Sequence, residues 1–246
     1  MNVSTPKVSL VAHTPDPIGV CALAARTCYS ALPLDELMEK VKTDQSDFLR
    51  GVIRSGHTSV LEHASFTFYV SDVSRALLAQ ITRHRIASFS VQSQRYVSMS
   101  KGFDCVVPPR IAALGGEAEA RYQAQMAQMA DWYREWQDAF GDDPGANEDA
   151  RFVLPNACVT RLTMTMNARE LLHFFSLRCC NRAQWEIRTL AEMMFRLVLP
   201  VAPAIFENAG PACVRGACPE GSRSCGQAQE VRDHYRGLRE EANQTT

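Results

Sequence analysis

The period of the apolar positions changes several times along the chain, and each change marks an element. Lys7 to Ala12 alternates over a length that predicts an opening strand. Asp16-Pro17 then reads as an N-cap with proline at the first helical position, so a helix is expected to about Tyr29. Leu37, Val41, Phe48, Val52 and Ile53 recur at mostly helical spacing, which predicts one helix over Asp35 to Arg54, stopped by Gly56. His57 to His63 is a polar turn holding two histidines and a carboxylate. Ala64 to Val70, rich in Phe, Thr, Tyr and Val, predicts a strand, and Ser71 or Asp72 is expected to cap a helix running through Val73, Leu77, Leu78 and Ile81.

Helices dominate the second half. Phe103 to Val107 predicts one more short strand ahead of Pro108-Pro109. From Glu117 to Phe140, the positions Tyr122, Met126, Met129, Tyr133, Trp136 and Phe140 fall three and four apart in one stripe, suited to core packing or a subunit interface. Gly141 to Gly145 breaks that helix, and a short helix carrying Arg151 is expected over Asn147 to Leu154. Asn167 and Glu170 have the spacing of a capping box at the head of a helix over Ala168 to Cys179, and Gln184 to Leu199 is a last amphipathic helix. With no internal repeat and no linker before residue 207, the expected fold class is α/β of the α+β type, a single helix-rich domain with a small, mostly antiparallel sheet. Residues 1–206 form the expected catalytic domain. Residues 207–246 form a Gly-, Pro- and Cys-containing tail whose end, from Glu230, is expected to be a solvated helix that frays.

At 246 residues, 46% hydrophobic and 22% charged, the chain reads as a soluble globular protein able to bury a core. A formal net charge of -1 argues against a surface committed to nucleic acid. The first residues lack the pattern of a signal peptide and no apolar run approaches the ~18 residues of a membrane helix, so the cytoplasm is the expected compartment. Nine cysteines is an odd number. Cys21, Cys28, Cys105, Cys158, Cys179 and Cys180 sit among apolar or helical neighbours and are expected to be reduced thiols. Cys213, Cys218 and Cys225 are spaced unlike a Cys-x-x-Cys pair and supply only three ligands, so no metal site is expected.

Charge is less even than the total suggests. Between Asp72 and Asp104 there is no carboxylate, while Arg75, Arg83, Arg85, Arg95 and Lys101 are all cationic. Arg83 to Tyr96 holds three arginines, a histidine and three serines in fourteen residues, which calls for an outside anion. Arginines in a last helical turn also complement the helix dipole, but that reading leaves the serines, glutamines and Arg95 beyond it unexplained. Arg151, Arg169, Arg178 and Arg182 follow downstream, with Gln80, Ser88, Ser93 and Asn167 as neutral donors, and His173 lies one helical turn after Arg169. Guanidinium forks suit phosphates, and a nucleotide is the natural ligand. No phosphate-binding loop, Gly-x-Gly-x-x-Gly, His-Glu-x-x-His or Gly-x-Ser-x-Gly occurs, so the chemistry is expected to belong to a bound cofactor.

Arg83-His84-Arg85, seven residues, then Ser93 with Arg95 and Tyr96 resembles the signature of the flavin-dependent thymidylate synthases. Gly56-His57 to Glu62-His63, Phe66-Thr67-Phe68, Asn167-Ala168-Arg169 to Arg178 and Ala183 to Ile187 extend the likeness over roughly residues 50–200. The resemblance implies reductive methylation of dUMP to dTMP, with methylenetetrahydrofolate as one-carbon donor, FAD as redox carrier and NADPH as reductant. It also implies a homotetramer with active sites assembled from several subunits. Flavin contacts would fall on Ser59, Glu62, Arg83, His84, Arg85, Val91, Asn167, Arg169, His173 and Arg182. Substrate contacts would fall on Gln80, Arg83, Ser88, Val91, Gln92, Ser93, Gln94, Arg95, Arg151 and Arg178. His57 and Tyr96 would lie near the flavin and folate rings, and Arg178, with His57, is the expected catalytic group. Ser90-Val91 stands where many relatives carry Asn-Glu, which removes a carboxylate.

Other readings stay open on the sequence alone. The basic stretch with Phe89 and Tyr96 also suits a nucleotide- or nucleic-acid-binding module. A flavin reductase without methyl transfer would use the same cofactor residues. Cys179 or Cys180, beside Arg178, could serve as a nucleophile.

Overall fold

The computed structural model describes residues 4–244; residues 1–3 and the last two residues of the expected tail, 245–246, lie outside the described residues. In chain order the elements are β1 (Lys7–His13), α1 (Pro17–Tyr29), α2 (Leu34–Val41), α3 (Ser46–Arg54), β2 (Ser65–Ser74), α4 (Arg75–Ile81), β3 (Ala87–Val91) and α5 (Pro109–Ala112). After these come α6 (Gly116–Phe140), α7 (Ala146–Ala150), β4 (Val159–Asn167), α8 (Ala168–Arg178), α9 (Trp185–Val198), α10 (Pro203–Phe206) and α11 (Ala228–Gln244). The strands form one sheet in the order β1-β2-β4-β3. Its antiparallel register is fixed at both ends of β1, where Thr14 N donates to Ser65 O at 2.9 Å and Lys7 pairs with Asp72 at 3.0 Å. The expected helix-rich α+β class with a small antiparallel sheet is therefore the observed one.

The chain divides into two compact units. One comprises the N-terminal residues to Lys7, Val70–Arg83 and Phe89–Thr163. It is organised around α6, whose Met126 and Ala130 pack with Phe103, Cys105 and Cys158. The other comprises Val8–Tyr69, His84–Ser88 and the chain from Met164. Its core is aromatic: Phe175 meets Phe195 at 5.8 Å and Phe206 at 6.1 Å, and Phe66 meets Phe206 edge-on at 5.4 Å.

Several boundaries differ from expectation for identifiable reasons. The single helix predicted over Asp35 to Arg54 is two, α2 and α3, because Gln45 turns its side chain inward between them. That buried amide donates to the carbonyls of Lys40 (2.9 Å) and Thr43 (2.8 Å) and accepts from Arg26 Nε and Nη2. β2 runs on to Ser74, whose hydroxyl caps α4 by accepting from Leu77 N at 3.0 Å, while Asp72 sits at φ 61 and pairs with Lys7. The strand predicted at Phe103 to Val107 is reduced to one antiparallel bridge, Cys105 to Cys158. The helix expected over Asn147 to Leu154 splits into α7 and a 3-10 turn over Arg151–Val153. On α6, Tyr133 is buried but Trp136 and Phe140 stack on each other at 5.9 Å in solvent, so only part of the stripe is core. β4 was not expected at all; Thr160, Leu162, Met164 and Met166 alternate into the interior along it.

The end of the tail is not a solvated, fraying helix. α11 buries Val231, Tyr235 and Leu238, spaced as one helical face, and Tyr235 meets Phe195 at 5.4 Å. Gly210 (φ +125) makes room for it, since a Cβ there would lie 2.9 Å from the Tyr235 ring.

Candidate active site

α8 carries the most constrained part of the site. Asn167 caps it by accepting from Glu170 N at 2.8 Å, as the sequence predicts. The Glu170 carboxylate does not turn back to complete the capping box; it bonds His84 Nδ1 at 2.8 Å. Arg178, two turns further along the same helix, donates from Nε to His84 Nε2 at 3.0 Å. Glu170, Phe174 and Arg178 are spaced four apart and so share a face, and His84 lies along it with its ring edge-on to Phe174 at 5.0 Å. One imidazole thus bridges the first and last turns of α8.

These partners fix the protonation state of His84. Nε2 must offer a lone pair to Arg178, so the proton sits on Nδ1 and points at Glu170. Burial holds the His84 pKa below its ordinary value; the bond to Glu170 opposes that shift and the Arg178 charge reinforces it. His84 is 5% exposed and Glu170 7%, so neither has water to fall back on. His173 approaches the His84 ring at 5.9 Å, and His84, Glu170 and His173 offer ligand atoms within 4.8 Å of one another. A cation there would have to displace Arg178 or break the Glu170 bond, because both His84 nitrogens are committed.

Around this assembly, Arg169 pairs with Glu62, both about half exposed, so two expected flavin-contact positions meet each other. Ser59 is exposed on the 3-10 turn Thr58–His63, and exposed His57 is edge-on to Tyr29 at 6.5 Å. Arg83 and Arg85 flank His84, are exposed, and make no ion pair among the described residues. Ser88 is exposed on β3. Arg182 is bound to the Arg223 carbonyl and to Glu220. Cys179 points inward, 3% exposed, with burial pushing its thiol up to about 12 and a side-chain bond to Tyr235, which disqualifies it as an activated nucleophile.

The other unit gathers a separate cationic group. Gln92 N donates to Arg161 O at 3.0 Å, and its side-chain oxygen accepts from Arg161 Nε at 3.4 Å. Arg95 reaches Glu148 through Nε (2.8 Å) and Nη2 (2.7 Å), and its backbone N–H donates to Ser93 Oγ at 3.1 Å. Arg151 holds the Glu148 carbonyl at 3.1 Å. Gln94 reaches Cys158 Sγ at 3.8 Å, Gln80 is half-buried on α4, and Val91 closes β3 half-buried. Arg75, half-buried on α4, has its pKa lowered first by burial and then by the like charge of Arg151. Neither Arg75 nor Arg151 makes an ion pair with a carboxylate among the described residues. Two neighbouring guanidiniums without a counter-charge favour a bound dianion.

Sequence reasoning missed four participants. Glu170 was legible only as a capping residue, Phe174 only as core, and Arg75 only as local charge, although the i, i+4, i+8 spacing of Glu170, Phe174 and Arg178 was available. Glu148 carried no signal, because its pairing with Arg95 spans 53 residues.

Comparison with known proteins points to one family. A family model described as "Thymidylate synthase complementing protein" matches residues 9–204. The "Flavin-dependent thymidylate synthase" of Geobacter sulfurreducens is 53% identical over 234 residues, covering 94% of this chain and 99% of that one. The protein of the same name from Nitratidesulfovibrio vulgaris is 46% identical over 234 residues, covering 90% and 95%. A crystal structure of the UMP/dUMP methylase PolB from Streptomyces cacaoi, bound with 5-Br dUMP, superposes with a TM-score of 0.66 at 26% identity, covering 83% of this chain and 94% of that one. With the family model matched over residues 9–204 and relatives of 53% and 46% identity matched over nearly their whole length, the chain belongs to the flavin-dependent thymidylate synthase family.

Proposed function

We propose that the chain methylates dUMP reductively to dTMP, drawing the one-carbon unit from methylenetetrahydrofolate and reducing equivalents from NADPH through FAD, as a cytoplasmic homotetramer. The observation that carries this reading is the orientation of Arg178 by His84 and Glu170 within that family. Arg178 has one N–H committed to His84, which fixes the plane of its guanidinium and aims the fork. Placed against the pyrimidine oxygens and N3, the fork favours the anionic form of the ring and makes C5 nucleophilic. Neutral His84 matters here, because a protonated imidazole would repel Arg178.

The donor set fits a dinucleotide flavin. Arg83, Arg85 and Arg169 are exposed cations suited to a pyrophosphate, with Asn167 and His173 on the same helix as Arg169 or capping it. When bound, the flavin supplies the hydride chemistry that no side chain of the protein provides. Arg151, joined by Arg75 and Arg95, is the proposed holder of the nucleotide phosphate, and a dianion there relieves the repulsion between Arg75 and Arg151. Ser93 binds substrate rather than attacking it, its hydroxyl already accepting from Arg95 N.

The test is a purified-protein spectrum with product analysis. A flavin spectrum bleached by NADPH, together with conversion of dUMP and methylenetetrahydrofolate to dTMP, is the expected result. Bleaching without dTMP would make the protein a flavin reductase, and a colourless protein binding oligonucleotides in a strongly salt-dependent way would make it a nucleic-acid module.

A further inference from the structure

Between α10 and α11 the chain folds with little apolar burial to hold it. No residue from Gly216 to Gln227 is buried, and the regular structure between α10 and α11 amounts to two three-residue 3-10 turns, Ala212–Val214 and Gly221–Arg223. Polar ties nonetheless draw this segment against the loop that follows α8. Asn181 Nδ2 donates to Gln227 Oε1 at 2.8 Å, and Arg182 binds the Arg223 carbonyl and Glu220. From α11, Arg232 donates to the carbonyls of Cys213 and Gly216, both at 2.9 Å.

Those ties converge on cysteines. Asn181 and Arg182 directly follow Cys180, their partners Arg223 and Gln227 flank Cys225, and Arg232 seats Cys213. Cys218 lies between Gly216, held by Arg232, and Glu220, held by Arg182. Cys179 is the exception, turned into the core towards Tyr235. The three tail cysteines alone leave a four-ligand set incomplete, and Cys180, from 33 positions upstream of Cys213, supplies the missing thiol.

We propose that Cys180, Cys213, Cys218 and Cys225 form a four-thiolate metal centre that clamps the 211–227 segment onto the loop leaving α8. Four thiolates select soft, thiophilic metals, which means zinc or an iron–sulfur cluster. Both are occupants of that one chemistry, and metal and sulfide analysis distinguishes them. Binding releases the four thiol protons to solvent. The centre is structural. Cys180 lies two residues beyond Arg178, so the clamp also steadies the end of α8.

The experiment is elemental analysis of the full-length protein purified anaerobically, with iron, zinc and acid-labile sulfide measured per chain. Cys225→Ser is the main variant, because Cys225 is exposed and its replacement spares the core; Cys213→Ser and Cys180→Ser accompany it. Cys28→Ser, exposed on α1 and remote in sequence, is the control. Stoichiometric iron with matching sulfide, or one zinc per chain, lost from the three site variants and retained in the control, supports the centre and identifies the metal. Metal-free protein that takes up neither zinc nor, on reconstitution with iron and sulfide, a cluster would overturn it. This readout is independent of dTMP formation, so it stands or falls apart from the proposed activity.

Discussion

Replacing Glu170 by Gln keeps the shape of the α8 assembly and removes its charge, which isolates the role of the carboxylate. The His84 Nδ1–H would still find an amide oxygen, but a charge-assisted bond worth about 1.5–3 kcal/mol becomes a neutral one worth about 0.5–1.5 kcal/mol. The expected loss is about 1 kcal/mol, or about 2–4 °C in Tm for a chain of this size. The pH dependence is more diagnostic. Because the folded His84 pKa lies below its unfolded value near 6.5, its contribution to stability is complete above that pH and is lost as pH falls, since the unfolded chain takes up a proton that the folded chain resists. Glu170 raises the His84 pKa, so Glu170→Gln depresses it further and steepens the acid loss. Turnover to dTMP is expected to fall by on the order of tenfold to a hundredfold as Arg178 loses its fixed orientation, with bound flavin retained. Melting curves between pH 5 and pH 8 alongside dTMP assays read both effects. A variant with wild-type melting at every pH and wild-type turnover would refute the relay from Glu170 through His84 to Arg178.

Three further outcomes follow from particular contacts. Arg75→Ala should weaken dUMP binding by about tenfold or more in calorimetric titration while leaving Tm unchanged or raised, because a half-buried cation beside Arg151 is removed. Gly210→Ala should cost about 1–3 kcal/mol in chemical denaturation, since it combines a φ of +125 with a Cβ placed 2.9 Å from Tyr235. Cys179→Ser should retain dTMP turnover, because that side chain is 3% exposed and faces the core; loss of turnover with an unchanged melting curve would revive a thiol mechanism.

Local chemistry made much of the fold legible. Asp16-Pro17 opens α1, accepting from Gly19 N at 2.9 Å, and Asn167 opens α8, both as read from the sequence. Gln184, the residue at which the last amphipathic helix was expected to begin, caps α9 by accepting from Glu186 N and Ile187 N. What escaped notice depends on partners far away in the chain. Gln45 breaks the α2–α3 stretch because Arg26 and two carbonyls claim its side chain, which no helical periodicity reveals. β4 was overlooked although Leu162, Met164 and Met166 alternate with Arg161, Thr163 and Thr165, since methionine is a weak strand signal. At the site, residue types that bind anions were evident, whereas the buried acid that orients them was not. Glu170 meets His84 across 86 residues, and a capping spacing gives no hint of it.

The most direct test of the account is the Arg178→Ala protein, assayed for bound flavin, for bleaching by NADPH and for dTMP formed from dUMP and methylenetetrahydrofolate. The account predicts a yellow protein that NADPH still bleaches and that forms no detectable dTMP. Formation of dTMP at the wild-type rate by that variant would contradict it.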